Sequence, residues 1–321
     1  MTVKHDIHTH TLFSSCCYDP AATVRGFIDR AAELGHEVLG ISNHLWDEKV
    51  PGASGWYKGQ TIDYGFEAKY AIPEDTRGVK VLFGTETEYC GMTDTLGMLA
   101  ATAARFDYIL VPHTHTHMKN FVVAENPDIS AERKKLAAEL EGVLPWITKD
   151  LAARMAGVLR HNEIRDMVKG RDGAVDDERF IADFCFSSFE SLMNNPEFRK
   201  CAAAVPTFVA HPFWACGQTR DEVHKIFGFI LAQKDRLYAD FSACAALGVG
   251  LDVNIGTYID PENGYAGDGM VAVMRIAKDA GCRFVFGTDT HSVKGLDEIR
   301  RGDAIAEAIG IGRDDLAEIV R

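Results

Sequence analysis

The string "DIHTHT" at residues 6–11 places two imidazoles, His8 and His10, two positions apart with a threonine between them. On a strand, side chains at i and i+2 face the same way, so both rings address one point while Thr9 faces away. The spacing returns as Glu86 and Glu88 in "TETEY", as His113, His115 and His117 in "HTHTH", and as Asp289 and His291 in "TDTH". His44 comes just after "VLGIS" and His211 directly after "TFVA". Every group stands at the end of a short apolar run. Imidazoles and carboxylates crowded into a small volume are costly unless a cation neutralises and coordinates them. That donor set suits zinc, manganese or iron, and it is too large for one tetrahedral ion. Two or three divalent ions are expected, with Glu86 the natural carboxylate to bridge a pair. Paired metals acidify a shared water and clamp the oxygens of an in-line displacement, which serves phosphate-ester hydrolysis best.

These donors need a scaffold that delivers strand ends to one place. Strand-like runs at 3–8, 38–42, 78–89, 107–113, 207–213, 250–256 and 283–289 are short and nearly all apolar, as strands covered on both faces should be. Helical spacing occupies 22–35, where Gly35 supplies a stop, then 221–233 continuing toward Leu247, 270–281, 295–309 and 314–320. Strand and helix alternating about seven times implies a parallel sheet, doubly wound or closed. In a (β/α) barrel the carboxyl ends of the strands converge on one face, and the active site sits there. Residues from about 120 to 205 break the rhythm: they read as helical, an insertion between strands four and five.

Length and composition agree. The 321 residues suit one barrel domain over 1–321 with its insertion. Forty-seven acidic against 34 basic residues give a net charge of −13, which disfavours a nucleic-acid partner but not a cation. No run of about 18 apolar residues suggests a membrane span. The start lacks a signal-peptide core, and eight cysteines without one suggest reduced thiols and a cytoplasmic protein. The cysteines at 90, 185, 201, 216, 244 and 282 lack a CxxC spacing and read as small buried residues. His5 lies within a strand without a strand-end partner and reads as structural. Glu88 is as well placed to meet substrate or support a ligand as to ligate. Arg160 and Lys119 are candidates to pair with a substrate phosphate, against the plainer reading of solvated surface cations.

Taken in order, "DIHTHT", "ISNH", "GTETE", the run at 113–117, "AHP" and "GTDTH" resemble the PHP superfamily (polymerase and histidinol phosphatase). The resemblance spans residue 6 to about 292, apart from the insertion. It implies a distorted (β/α)7 TIM-like barrel, up to three zinc, manganese or iron ions, and phosphoesterase activity. Position by position, it implies that His8, His10, Glu86 and Asp289 hold one metal. Glu86 would reach a second, completed by His115 and His211, and a third would use His44 and His291. The histidinol phosphatase branch usually has one more histidine at the place of Cys16; a thiolate there could ligate zinc, or that third site could be weak or empty. Asn43 stands where an aspartate often precedes His44. The triple histidine run leaves its ligand ambiguous by one step. His115 is favoured, His117 could ligate or meet substrate, and His113 is expected to be buried at the strand's last turn.

The expected reaction is hydrolysis of a small phosphate monoester by a metal-bridging hydroxide. Glu86 and Asp289 would organise it, and His117 or a bound water would protonate the leaving alkoxide. A 3′ exonuclease of the same superfamily is the main alternative, opposed by the acidic balance. An amidohydrolase-type enzyme would need eight strands and commonly a bridging lysine after the fourth. A barrel that binds metal without turnover is the remaining one.

Overall fold

The computed structural model describes residues 1–53, 57–90, 94–114, 134–135, 137–141, 149, 177–214 and 219–321. In chain order its elements are β1 (His5–Asp6), α1 (Val24–Leu34), β2 (Val38–Ile41), α2 (Ile62–Tyr70), β3 (Lys80–Glu86), the hairpin strands β4 (Tyr89–Cys90) and β5 (Thr95–Leu96), and α3 (Ala100–Ala103). There follow β6 (Tyr108–Pro112), α4 (Asp177–Asn194), α5 (Pro196–Ala204), β7 (Thr207–Ala210), α6 (Arg220–Leu231), α7 (Lys234–Ala246), β8 (Gly250–Asn254), α8 (Gly269–Asp279), β9 (Phe284–Gly287) and α9 (Gly302–Ile309).

Among the described residues, β1, β2, β3, β6, β7, β8 and β9 pair in that order, each parallel to the next. The two edges meet: Ile7 N–H donates to the Phe286 carbonyl (3.0 Å), Asp289 N–H to that of His8 (2.8 Å) and His10 N–H to that of Thr290 (2.9 Å). The sheet therefore curls into a seven-stranded α/β barrel, as the alternation of elements predicts. Strands β2, β6, β7, β8 and β9 are buried along their length because helices cover the outside and side chains fill the inside.

Local signals explain the helices. Thr23 caps α1 by accepting from Gly26 N–H at 3.0 Å, and α1 turns Val24, Phe27, Ile28 and Ala31 onto the sheet. Asn195 caps α5 through Glu197 and Phe198 N–H, with Pro196 in the first turn. Thr219 and Glu222 form a reciprocal capping box on α6. Inside the barrel Tyr108 lies across Gly40, where a Cβ would stand 2.2 Å from the Tyr108 hydroxyl. That hydroxyl donates to the Ile7 carbonyl at 2.5 Å. Gly84, two residues before Glu86 on the same face, lies against the same ring, so Tyr108 fills the floor under the strand ends.

Three expectations fail at element ends. The helix expected to run from 221 toward Leu247 is two helices, broken at Ala232 and Gln233. The buried residues Ile226, Ile230, Leu237, Phe241 and Cys244 keep one stripe across the break, so periodicity cannot detect it. Gln233 leaves helical angles (φ −108°, ψ 38°) and its amide donates to Asp183 on α4 at 3.2 Å. Residues 314–320 form no α-helix but fall into two 3₁₀ turns, Arg313–Asp315 and Glu318–Val320; between them Leu316 bridges Phe284, and Ala317 N–H donates to the Phe284 carbonyl at 2.9 Å, which draws the segment onto the base of β9. The 295–309 pattern divides into a 3₁₀ stretch (Lys294–Arg301) and α9. The insertion between the fourth and fifth barrel strands is helical nearly throughout where described, at 134–135, 137–140 and 149 and in α4 and α5; the rest of it lies outside the described residues.

Candidate metal centre

The strand ends at the barrel mouth bring the sequence-predicted donors together. Ligand atoms of His8, His10, Glu86 and Asp289 all lie within 4.8 Å of one another, and so do those of His10, Cys16, His44 and His291. His10 belongs to both groups. Its ring stacks on His44 and His291, with centroids 4.3 and 4.5 Å away. His8 Nε2 is 3.3 Å from Glu86 Oε2 and 3.4 Å from Asp289 Oδ1; His10 Nε2 is 3.3 and 3.0 Å from the same two atoms.

Glu86 divides its oxygens. Oε2 faces His8, His10 and the Nδ1 of His44 (3.2 Å), while Oε1 faces the Nε2 of His211 at 3.2 Å. One carboxylate thus addresses two sets of imidazoles.

His211 reaches that place against the strand alternation. Phe208 of β7 packs on Gly250 inside the barrel, so regular pleating would turn residue 211 outward. A left-handed backbone at His211 (φ 31°) ends β7 and swings the ring toward Glu86. Asp289 is also left-handed (φ 54°). Such conformations cost about 1 kcal/mol or more in a non-glycine residue, and they concentrate where function requires a side chain in one place.

Further contacts fix which ring atoms face inward. His8 Nδ1 meets Asp252 Oδ2 of β8 at 2.8 Å, so it donates there and its Nε2 lone pair is left for the centre. A Cβ on Gly287 would stand 2.3 Å from His8 Cβ and 2.8 Å from Asp252 Oδ1, so only glycine admits this pair. His291 Nδ1 donates to the Asp289 carbonyl at 3.0 Å. His10 Nδ1 lies 3.3 Å from the Ser14 hydroxyl, which also accepts from His44 N–H (3.1 Å) and donates to Asn43 Oδ1 (3.1 Å). Asn43 Oδ1 further accepts from Thr11 N–H at 2.7 Å, so this amide holds the opening loop. Asp6 ties β1 to the last loop: it accepts from the Thr288 hydroxyl (2.6 Å) and from His8 N–H (3.0 Å), and burial pushes its carboxyl up to about 7.

The electrostatics are those of a centre that wants positive charge. Burial disfavours charged His8, yet Asp289 and Glu86 outweigh it and hold the ring well above the usual imidazole range; His10 is raised by the same pair. Burial likewise opposes ionised Glu86 and Asp289, but the histidines, His8 foremost, hold both far below the usual carboxylate range. His44 and His291 go the other way, lowered chiefly by burial, His291 to about 4. Burial, then Glu86 and Asp289, push the Cys16 thiol up. Divalent cations fit this arrangement. His8 Nε2, His10 Nε2 and Glu86 Oε2 are buried with no hydrogen-bond partner among the described residues, and they point at one another. Coordination would satisfy all three at once.

Other candidates stand elsewhere. Glu88 is buried beside Tyr57, whose hydroxyl donates to it at 3.3 Å, and it belongs to neither donor group. His5 faces away from the centre and its Nε2 accepts from Phe286 N–H at 3.0 Å. His113 sits between Phe189 and Phe213, ring centroids 5.3 and 5.2 Å away, accepting from Phe213 N–H at 2.9 Å. Cys185, Cys201, Cys244 and Cys282 are buried. His115, His117, Lys119 and Arg160 lie outside the described residues. Sequence reasoning missed Asp252. Its signal was the one carboxylate in the strand run "GLDVNIG", where alternation puts it on the inner face with Gly250.

The model of the PHP domain family matches residues 6–183. This chain belongs to the PHP family. The matched segment is more than half of the chain and carries His8, His10, His44 and Glu86; the fold brings His211, Asp289 and His291, which lie beyond it, onto the same centre. Membership, with these metal-ligand groups, makes the chain a metal-dependent phosphoesterase. The solved histidinol phosphate phosphatase (HISK) from Lactococcus lactis subsp. lactis Il1403, complexed with zinc, L-histidinol and phosphate, is similar at 16% identity and a TM-score of 0.49. The match covers 96% of this chain and 94% of that one. Comparison with curated proteins gives no match. No helix among the described residues is long and apolar enough to cross a membrane.

Proposed function

We propose that this chain hydrolyses the monoester of a small phosphorylated molecule at a centre of two or three divalent ions: zinc, manganese or iron. His8, His10, Glu86 and Asp289 would hold one ion. Glu86 would share its other oxygen with a second, alongside His211 and His115. His44 and His291 would hold a third. Bound there, the ions supply Lewis acidity, ionising a water and neutralising phosphoryl charge. The supporting observation is the divided Glu86 carboxylate, each oxygen 3.2–3.3 Å from a different set of buried imidazoles.

The chain's own groups do the rest. Asp252 takes the Nδ1 proton of His8, and the Asp289 carbonyl that of His291, so each ring presents one defined nitrogen. The aromatic floor and closed edges keep bulk water from reaching the donors from below, which strengthens every charge interaction at the mouth. His117 is the residue we propose to protonate the leaving alkoxide. The acidic surface disfavours long polyanions, so nucleic acid is not the expected substrate. The reading takes residues 1–321 as one cytoplasmic barrel domain.

The test is metal analysis of the purified protein, then a panel of small phosphate monoesters with and without added Mn²⁺. A single-stranded oligonucleotide is the diester control. Metal-dependent release of inorganic phosphate from monoesters, with the oligonucleotide left intact, is the expected result. Cleavage of the oligonucleotide alone, or turnover untouched by chelation, would overturn it.

A further inference from the structure

The two donor groups at the mouth differ in chemistry. One is two imidazoles and two carboxylates; the other is three imidazoles, His10, His44 and His291, with the thiol of Cys16, all ligand atoms within 4.8 Å. Carboxylate-rich sites accept manganese, magnesium or iron readily, whereas a thiolate among imidazoles favours zinc and other softer ions. Cys16 is set apart from its neighbour. Cys17 is buried and its Sγ donates to the His291 carbonyl at 3.1 Å, so that sulfur is engaged behind the cluster. The turn carrying Cys16 is anchored on both sides: Ser15 N–H donates to Gln60 Oε1 (3.0 Å) and Cys17 N–H to the Ser14 carbonyl (3.0 Å). His10 Nε2, buried, lies 3.0 Å from Asp289 Oδ1 and 3.3 Å from Glu86 Oε2, on the side of the carboxylate-bearing group, which leaves Cys16 with His44 and His291 as the donors of the other.

We propose that Cys16 is a thiolate ligand in the site formed with His44 and His291, and that it makes this site selective for zinc over manganese. The proposal rests on the reading of the barrel mouth as a metal centre.

Cobalt(II) titration of the metal-stripped full-length protein tests it, because sulfur bound to cobalt gives a near-ultraviolet charge-transfer band independent of turnover. Wild type and Cys17→Ser should show the band; Cys16→Ser should lose it. Cys16→His should lack the band yet keep full cobalt stoichiometry. In competition, Cys16→Ser should lower zinc affinity for one equivalent by about 100-fold or more, since losing a ligand costs at least as much as disturbing a group that orients one, with manganese affinity within about threefold of wild type. A band that persists in Cys16→Ser, or that Cys17→Ser abolishes, overturns the proposal. Cobalt bound with visible d–d absorption but no sulfur band in wild type also overturns it, leaving the metal-centre reading standing. No cobalt bound at all overturns both.

Discussion

The two ends of the barrel use the same side chain in opposite ways. At the mouth, His8 and His10 are buried against Glu86 and Asp289, and those carboxylates hold both rings above the usual imidazole range. Away from the mouth, His5 and His36 are buried without a carboxylate to reverse the effect. Burial lowers His5 to about 3, helped by His36, and His36 to about 4. His5 is a neutral acceptor for a backbone amide; the others await a cation. Clustered histidines therefore do not make a metal centre by themselves. The carboxylates delivered by β3 and by the loop after β9 do, because they turn a desolvated base into part of a cation-seeking site.

The sharpest way to break this contrast is to remove the shared carboxylate. Glu86→Gln keeps the shape but loses the charge, and should lower turnover about 10³-fold or more with loss of bound metal. His5→Gln, at the other end, should leave turnover within about threefold. Steady-state kinetics with metal analysis decides; equal effects from the two variants would end the distinction. A smaller effect is expected from Asp252→Asn, which removes a negative charge from the Nδ1 side of His8. Metal affinity should fall about tenfold, with the folded structure kept, as for other residues that orient a ligand from behind. Isothermal titration with zinc measures it, and unchanged affinity would remove Asp252 from the centre.

Much of the mouth was legible because alternation on a strand and convergence of barrel strand ends are simple geometry. His8, His10, Glu86, Asp289 and His291 were picked out as i, i+2 pairs at predicted strand ends, although the same rule also nominated Glu88, which belongs to neither donor group. His211 was found by its strand-end place, but the left-handed turn that aims it inward has no signature in "VAHPF". Asp252 sits mid-strand as a single carboxylate, and nothing local says that it lies behind His8, since that contact joins the first and sixth barrel strands. The break at Gln233 was invisible because the apolar stripe runs through it in phase. The tail at 314–320 has helical spacing, but backbone pairing to Phe284 outweighs a propensity that is weak in so short a segment.

The finest probe of the comparison is His36, because it isolates burial from every carboxylate. Neither ring nitrogen of His36 has a hydrogen-bond partner among the described residues, and the side chain is buried. Its folded-state value of about 4 lies below the unfolded value of 6.5. Between those values the unfolded chain binds a proton that the folded chain refuses, so stability rises with pH across the window. The full contribution is present above pH 6.5 and is lost as pH falls toward 4. By pH 5 the loss should be about 1–2 kcal/mol. His36→Leu replaces the unpartnered ring with an apolar group of similar size. It should flatten the difference in urea midpoint between pH 7 and pH 5 while leaving the pH 7 midpoint nearly unchanged. A variant that keeps the wild-type slope would show that the acid sensitivity arises at the mouth, where protons compete with metal for the same nitrogens.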